Sequence, residues 1–198
     1  VLLIHLRMSG DLYLVPPDAP PHRHHRVLFS LSSGYRLAFE DSRKFGRMWL
    51  LSDPTPVLGR LGPEPLEASF TPAWLWDALQ ARRRQLKPLL LDQAFLAGLG
   101  NIYTDEALHR AHLHPLRIAN TVRREEAAAL HAAIVHVLRE GIRHNGATID
   151  WVYRGGGFQN TFQVYRRAGK PCYTCGTPIE RIVVGQRGTH FCPQCQAL

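Results

Sequence analysis

The chain is predicted to be an α+β protein of more than one domain, and three observations carry that prediction. Residues 1–52 break into short apolar runs separated by turn signals, the pattern of antiparallel strands in part of a β-sandwich. Residues 71–157 change character and carry helix caps and helical periodicity. Residues 158–198 hold all four cysteines, in two Cys-x-x-Cys pairs. A proline-bearing stretch, residues 53–70, is expected to be an extended linker between the first two parts.

The bulk numbers frame these parts. At 198 residues, 45% of them hydrophobic, the chain can bury a real core in one or two domains. A net charge of +8 and a pI near 9.8 favour a polyanionic partner over an acidic or neutral surface, a solvated basic face being the plain alternative. No run approaches the length of a membrane span, so no membrane partner is expected. The chain opens at Val1 inside an apolar run, Val1-Leu-Leu-Ile-His-Leu6, and is read as a protein whose N-terminal part lies upstream.

In order, residues 1–8 and 12–15 flank a Ser9-Gly10-Asp11 turn and are expected to pair as a hairpin. Pro16, Pro17, Pro20 and Pro21 must lie in a loop, because proline cannot donate to a sheet ladder. Val27, Phe29 and Leu31 alternate, Ser32-Ser-Gly34 turns, and Leu37 and Phe39 return; residues 47–51 form a further strand. Thr71 followed by Pro72 marks a helix start, continued by Leu75, Ala78, Leu79 and Arg82. Asp92 is expected to cap a short helix through Phe95 and Leu96, ended by Gly98 and Gly100, with another starting near Thr104 and stopping before His114-Pro115. Residues 123–141 give the clearest helix, with Leu130, Ile134, Val137 and Leu138 on one face and Gly141 at its end. Gly155-Gly-Gly157 is read as a hinge.

The cysteines, Cys172, Cys175, Cys192 and Cys195, are spaced as in a zinc ribbon, with residues 176–191 between the pairs. Four thiolates close a tetrahedron around one structural Zn²⁺ and leave no position for a reactive water. Two disulfides or four unconnected thiols are the alternatives, and no secretory pattern supports an oxidising compartment. Between the pairs, residues 177–184 are expected to form a strand and residues 185–188 a turn with Arg187 at its tip. The run His22-Arg-His24-His25-Arg26 invites a metal assignment, but with no acidic or Cys partner nearby in sequence none is made.

Several blocks together point further. Gln85-Leu-Lys-Pro-Leu-Leu-Leu-Asp-Gln-Ala-Phe-Leu-Ala-Gly-Leu-Gly-Asn-Ile-Tyr-Thr-Asp-Glu106 resembles the helix–two-turn–helix signature of the formamidopyrimidine-DNA glycosylase family, which includes endonuclease VIII-type enzymes. His5-Leu-Arg-Met-Ser-Gly10, Asp41-Ser-Arg-Lys-Phe-Gly46, Gly176-Thr-Pro-Ile179 and Gly185-Gln-Arg-Gly-Thr-His-Phe-Cys192 are similar to further blocks of that family, in its order and along essentially the whole chain. The resemblance implies a partial β-sandwich, a helix–two-turn–helix domain and a C-terminal zinc-ribbon hairpin, with double-stranded DNA carrying oxidised bases or abasic sites in the cleft between them. It implies a monomeric, cytoplasmic, bacterial-type repair protein that associates with the nucleoid through DNA. The activity implied is that of a bifunctional DNA glycosylase and apurinic/apyrimidinic lyase.

Each block also has its own chemistry. The Gly98-Leu-Gly100-Asn101 turn opens a helix whose free N–H groups suit a phosphate, with Asn101 adding a side-chain donor; a plain helix–helix corner is the alternative. Arg83 and Lys87, otherwise a solvated helix face, become counter-charges for DNA. By resemblance, Met8, Arg43 and Phe45 fill the hole left by a flipped-out base; without it Met8 and Phe45 are core residues and Arg43 an ion-pair partner of Asp41. The resemblance gives His24 a contact to the DNA backbone and Arg187 a contact to phosphates near the lesion with a part in the final elimination.

The family departs from this chain at the nucleophile. There it is an N-terminal proline amine, with a neighbouring glutamate and a lysine on an early hairpin; here Val1 and Leu2 open the chain and no Lys precedes Lys44. A fragment of an ordinary enzyme and a non-catalytic damage reader are the two explanations. A segment between residues 151–159 and Val164-Tyr165 is shorter than in 8-oxoguanine specialists, leaving oxidised purine and oxidised pyrimidine open, while the Met8–Arg43–Phe45 set points to the purine. A zinc-ribbon protein of translation or transcription is the more distant alternative. With strands missing, the β part is expected to expose an edge and apolar surface and to melt without a sharp two-state transition.

Overall fold

The structure, a computed structural model, describes residues 1–148 and 155–198. It divides into two compact units, one built from residues 1–59 and the other from residues 60–147 and 156–198. Among the described residues no helix is long and apolar enough to cross a membrane.

The first unit holds five strands, β1 Leu2–His5, β2 Gly10–Val15, β3 His25–Ser30, β4 Arg36–Asp41 and β5 Arg47–Leu50. They form two antiparallel sheets: β4 lies between β2 and β3, and β1 pairs with β5. The expected pairing of residues 1–8 with 12–15 is therefore wrong; Leu3 lies opposite Trp49, and Leu12 opposite Phe39. The cause is local. The Leu6 carbonyl accepts the Gly10 N–H at 2.9 Å, and Arg7 takes a left-handed φ of 56°. A Cβ on Gly10 would lie 2.4 Å from that carbonyl, so only glycine permits this wide turn, which hands the chain from one sheet to the other. The β3–β4 hairpin follows the alternation, with Val27 opposite Phe39 and Phe29 opposite Leu37, after a bulge between His25 and Val27.

The stretch 53–70 is not wholly extended. Asp53 accepts the Thr55 N–H at 2.9 Å and starts a one-turn helix, α1 Thr55–Leu58, with proline in its first turn.

The second unit begins with α2 Pro72–Gln80, capped as expected: the Trp74 N–H donates to the Thr71 hydroxyl at 3.1 Å. It stops before Arg82. A short helix, α3 Leu86–Leu90, lies upstream of the expected one, and Asp92 closes a turn instead of a helix, accepting Ala94 N–H on its side chain and Phe95 and Leu96 N–H on its carbonyl. The next helix, α4 Asn101–Arg110, starts directly after Gly100, earlier than Thr104. The long helix, α5 Arg124–Arg143, is entered through a cap in which the Glu126 carboxylate accepts the Arg123 N–H at 2.8 Å. It buries Ala127, Leu130, Ala133, Ile134 and Val137, while Leu138 is only partly covered. Gly141 does not end this helix. A Cβ there would meet the Tyr103 ring at 2.5 Å, so glycine lets α4 lie close against α5.

The unit closes with β6 Glu180–Val184 and β7 Arg187–Phe191, paired in register. Gly185 and Gln186, with φ of 54° and 64°, make the two-residue turn. The turn is shorter than expected, so Arg187 is not at the tip; it pairs with Val184 and opens β7.

Candidate nucleic-acid interface and metal centre

The cysteines converge. Their four sulfur atoms lie within 4.8 Å of one another, with Cys172 Sγ 3.9 Å from Cys195 Sγ and Cys175 Sγ 3.4 Å from Cys192 Sγ. Tetrahedral Zn–S bonds of about 2.3 Å put sulfurs about 3.8 Å apart, so the set fits one structural Zn²⁺. Backbone N–H groups of Thr174 and Cys195 donate to Cys172 Sγ and Cys192 Sγ at 3.4 Å, as thiolates require. Val164 and Ile179 pack with buried Cys172 and Cys192. From α4, His109 brings Nε2 to 3.6 Å from Cys172 Sγ; burial, then the charges of His112 and Arg167, pull its pKa down to about 4, so the ring is neutral.

Next to the ribbon lies a buried ionic network that the sequence did not disclose. Lys87, read from the sequence as a counter-charge for DNA, has its ammonium fully enclosed. It donates to Asp105 at 2.5 Å and to the Gly188 carbonyl at 3.1 Å. Asp105 also accepts the His190 N–H at 2.9 Å. Burial lowers the pKa of Lys87, and Asp105 opposes that shift. The result ties α3 and α4 to the hairpin strand that begins with exposed Arg187. Glu106, the next residue of α4, accepts three backbone N–H groups, from Gln163, Val164 and Tyr165, at 2.8, 3.0 and 2.8 Å. Burial raises its pKa, and those three bonds work against the rise. Two adjacent acids, Asp105 and Glu106, set between Ile102-Tyr103 and Ala107-Leu108 were the signal that could have revealed both ties.

Asn101 opens α4 beside this network. Its amide nitrogen donates to Gly188 O at 3.2 Å, and its buried Oδ1 has no partner. Since Lys87 also donates to Gly188 O, Asn101 can release that carbonyl without orphaning it. The preceding turn is braced by Gln93, which accepts the Gly98 N–H at 2.9 Å and donates to Leu99 O at 3.1 Å, with Gly98 at φ 75°. Arg83 is exposed on the neighbouring stretch.

In the β unit the loop after β4 is organised by buried Asp41. Its carboxylate accepts the Ser9 hydroxyl at 2.6 Å and the Gly46 and Arg43 N–H groups at 2.7 and 3.2 Å. The carboxylate thus takes the backbone of Arg43, and the guanidinium instead sits 5.4 Å from the Phe45 ring centre. Met8 and Phe45 are 61% and 54% exposed, which removes the alternative that they are core residues. His24 accepts Arg23 Nε–H at 2.9 Å and is partly covered. His22 and His24 both precede β3, which starts at His25. An acidic neighbour does exist, because the fold brings Glu40 of β4 opposite His25. Residues 149–154, which include the tryptophan of the segment weighed for substrate choice, lie outside the described residues.

Comparisons with known proteins agree on one family. Residues 1–48 match the model of the formamidopyrimidine-DNA glycosylase N-terminal domain, residues 61–152 that of the formamidopyrimidine-DNA glycosylase H2TH domain, and residues 169–198 the zinc finger found in FPG and IleRS. The chain is 46% identical over 205 residues to the formamidopyrimidine-DNA glycosylase of Desulforamulus reducens, spanning 98% of this chain and 73% of that relative. With the enzyme of Herpetosiphon aurantiacus the identity is 49% over 203 residues, 99% of this chain and 74% of the relative. Among solved structures it resembles MutM in complex with carbocyclic 8-oxo-G containing DNA, with a TM-score of 0.91 and 38% identity over 100% of this chain and 74% of that one. It also resembles the MutM (Fpg) protein from Thermus thermophilus, with a TM-score of 0.88 and 44% identity over 98% of this chain and 75% of that one.

Proposed function

Since this chain belongs to the formamidopyrimidine-DNA glycosylase family, a family of base-excision repair glycosylases, we propose that it engages duplex DNA at oxidised purines and abasic sites, in the service of glycosylase and strand-cleaving lyase chemistry. The observation that carries the reading is the joining of two phosphate-directed elements at one carbonyl. Asn101, at the start of α4, and Lys87 both donate to Gly188, next to Arg187 on the hairpin. N–H groups at the α4 start, the Asn101 amide once it leaves Gly188, and the Arg187 guanidinium then address the backbone around one damaged nucleotide. Lys87 acts in this scheme from inside, holding the hairpin, and exposed Arg83 and partly covered His24 are the outward backbone contacts.

Met8, Arg43 and Phe45 supply the other half. An exposed thioether and an exposed ring can enter a base stack, and Arg43 beside Phe45 can hydrogen-bond the unpaired base opposite the lesion. The same three support the purine over the pyrimidine. Arg187 assists the elimination, and the four cysteines hold their zinc only to keep that hairpin rigid. The family's proline amine, neighbouring glutamate and hairpin lysine are matched by none of residues 1–198, and no nucleophile is assigned among them.

Borohydride trapping on an abasic-site duplex, run beside a binding measurement on the same duplex, tests this. Preferential binding without a trapped adduct is expected. A trapped adduct would show that one of these residues serves as the nucleophile, and binding that ignores the lesion would overturn the reading as a whole.

A further inference from the structure

Outside the cysteine ribbon, the described residues bring one more set of metal-ligating groups together. One ligand atom each from His22, His25 and Glu40 lies within 4.8 Å of the others. The fold builds this triangle from two elements. His25 and Glu40 face each other across β3 and β4. The turn before β3 is closed by the His25 N–H donating to His22 O at 2.9 Å, and it carries His22 back over the pair. His22 Nδ1 then stands 3.3 Å from Glu40 Oε1. Two nitrogen or oxygen ligands at about 2.0–2.2 Å from one tetrahedral ion are about 3.4 Å apart, so this spacing suits neighbouring ligands of a single cation.

Tyr13 supports the set from beneath. Its hydroxyl donates to Glu40 Oε2 at 2.5 Å and lies 2.9 Å from His25 Nε2, which fixes both the carboxylate and the ring. A metal-bound imidazole commonly has its other nitrogen held in this way. The remaining nitrogen of His25, Nδ1, accepts the His22 N–H at 3.1 Å, a single exposed hydrogen bond that a metal ion can replace. The side chains of His22 and Glu40 are 52% and 25% exposed, so the site is open to ion entry.

We propose that His22, His25 and Glu40 form a second, exchangeable metal site for a borderline transition cation such as Zn²⁺. Two imidazoles and one carboxylate match that class, whereas Mg²⁺ and Ca²⁺ call for more oxygen ligands. Three protein ligands leave a position for water or a phosphate oxygen. Arg23 and Arg26 flank the site, with their guanidinium Nε–H groups directed at His24 and at Asp41 O, and their charge keeps the affinity below that of the ribbon.

Cobalt(II) provides the probe, added by equilibrium dialysis to the full chain with zinc already in its ribbon. The wild-type chain should take up one further equivalent in the micromolar range, showing visible d–d bands without a thiolate charge-transfer band. His22→Ala and Glu40→Gln should each lose that equivalent while keeping the ribbon zinc, and His24→Ala should retain it. No second equivalent in the wild type, or a second equivalent unchanged in both His22→Ala and Glu40→Gln, would overturn the proposal. Ribbon zinc reports only the helical and zinc-bearing unit, so hydrogen-exchange protection of β2 and β4 is followed in every sample, and a variant that has lost it is set aside in favour of the other.

Discussion

In the β unit the side chains proposed to enter DNA stand on loops with little beneath them. Met8 is 61% and Phe45 54% exposed, and the buried residues of 1–59 are Val15, Ala38, Phe39 and Asp41. In the helical and zinc-bearing unit, Arg187 and Asn101 rest on a packed base that includes a fully enclosed lysine, Asp105, and a cysteine cluster. The contrast has a physical logic. A wedge that must slide into a base stack needs exposed apolar atoms and gains from a compliant loop, whereas a group that must meet a phosphate at fixed distance needs a rigid mount. Substitutions in the first unit are therefore expected to show in DNA binding with little effect on folding, whereas in the second the residues beneath Arg187 and Asn101 are expected to show first in folding.

Metal removal should break the contrast most severely. Stripping the ribbon with a chelator under reducing conditions leaves four thiols with little to hold the ends of β6 and β7, and zinc binding in small ribbons supplies on the order of 10 kcal/mol of folding free energy. Hydrogen exchange should then show lost protection across residues 180–191 with β2–β4 unchanged.

Lys87→Ala comes next. It leaves Asp105 buried and unpaired, which costs about 3–5 kcal/mol. Chemical denaturation should show this loss, while Arg83→Ala, on the exposed face of the same basic run, should stay within about 0.5 kcal/mol of wild type. Equal effects at the two positions would remove the distinction between a mounting and a contacting cation.

The pair tells how much was legible in sequence. Arg82-Arg-Arg-Gln-Leu-Lys87 looks like one basic stripe, and nothing local separates its last member from the others. Only the placement of Asp105 and Gly188, remote in sequence, encloses Lys87. The features carried by short-range chemistry were readable: the Thr71 cap, the β3–β4 alternation, and the cysteine spacing. Those decided by non-local pairing are not: the sequence suggests β2 as the partner of β1 where the fold uses β5, and it does not show Glu40 beside His22 and His25. Gly141 was misread for a related reason, since a glycine demanded by a neighbouring ring looks in sequence like a helix stop.

An intermediate effect lies at the entry to α5. Burial pushes the Glu126 carboxyl up, but bonds from the Arg117 guanidinium, at 2.7 Å to each oxygen, and from Arg123 outweigh it and hold the pKa at about 2. A carboxyl lowered on folding stabilises above its unfolded value, so its contribution is complete at neutral pH and is lost as pH falls from about 4.5 towards 2. Glu126→Gln should cost about 1–2 kcal/mol at pH 7 after solvent screening, with the difference from wild type vanishing in acid.

The smallest effects on folding belong to the wedge. Met8→Ala and Phe45→Ala remove side chains that are mostly in solvent, so stability should change by less than about 0.5 kcal/mol. The exposed apolar set of this unit, with Leu50 at 84%, Val1 at 61% and Leu14 at 60%, should instead show as a melt that precedes that of the helical unit.

The measurement that bears most directly on the account is fluorescence anisotropy of this zinc-loaded chain with an abasic-site duplex and with the same duplex undamaged, at one fixed salt concentration. Binding is expected to be tighter to the abasic duplex, and Met8→Ala should narrow the preference about tenfold while Arg187→Ala weakens binding to the abasic duplex. Equal affinity for the two duplexes, with Met8→Ala and Arg187→Ala both indistinguishable from wild type, would contradict it.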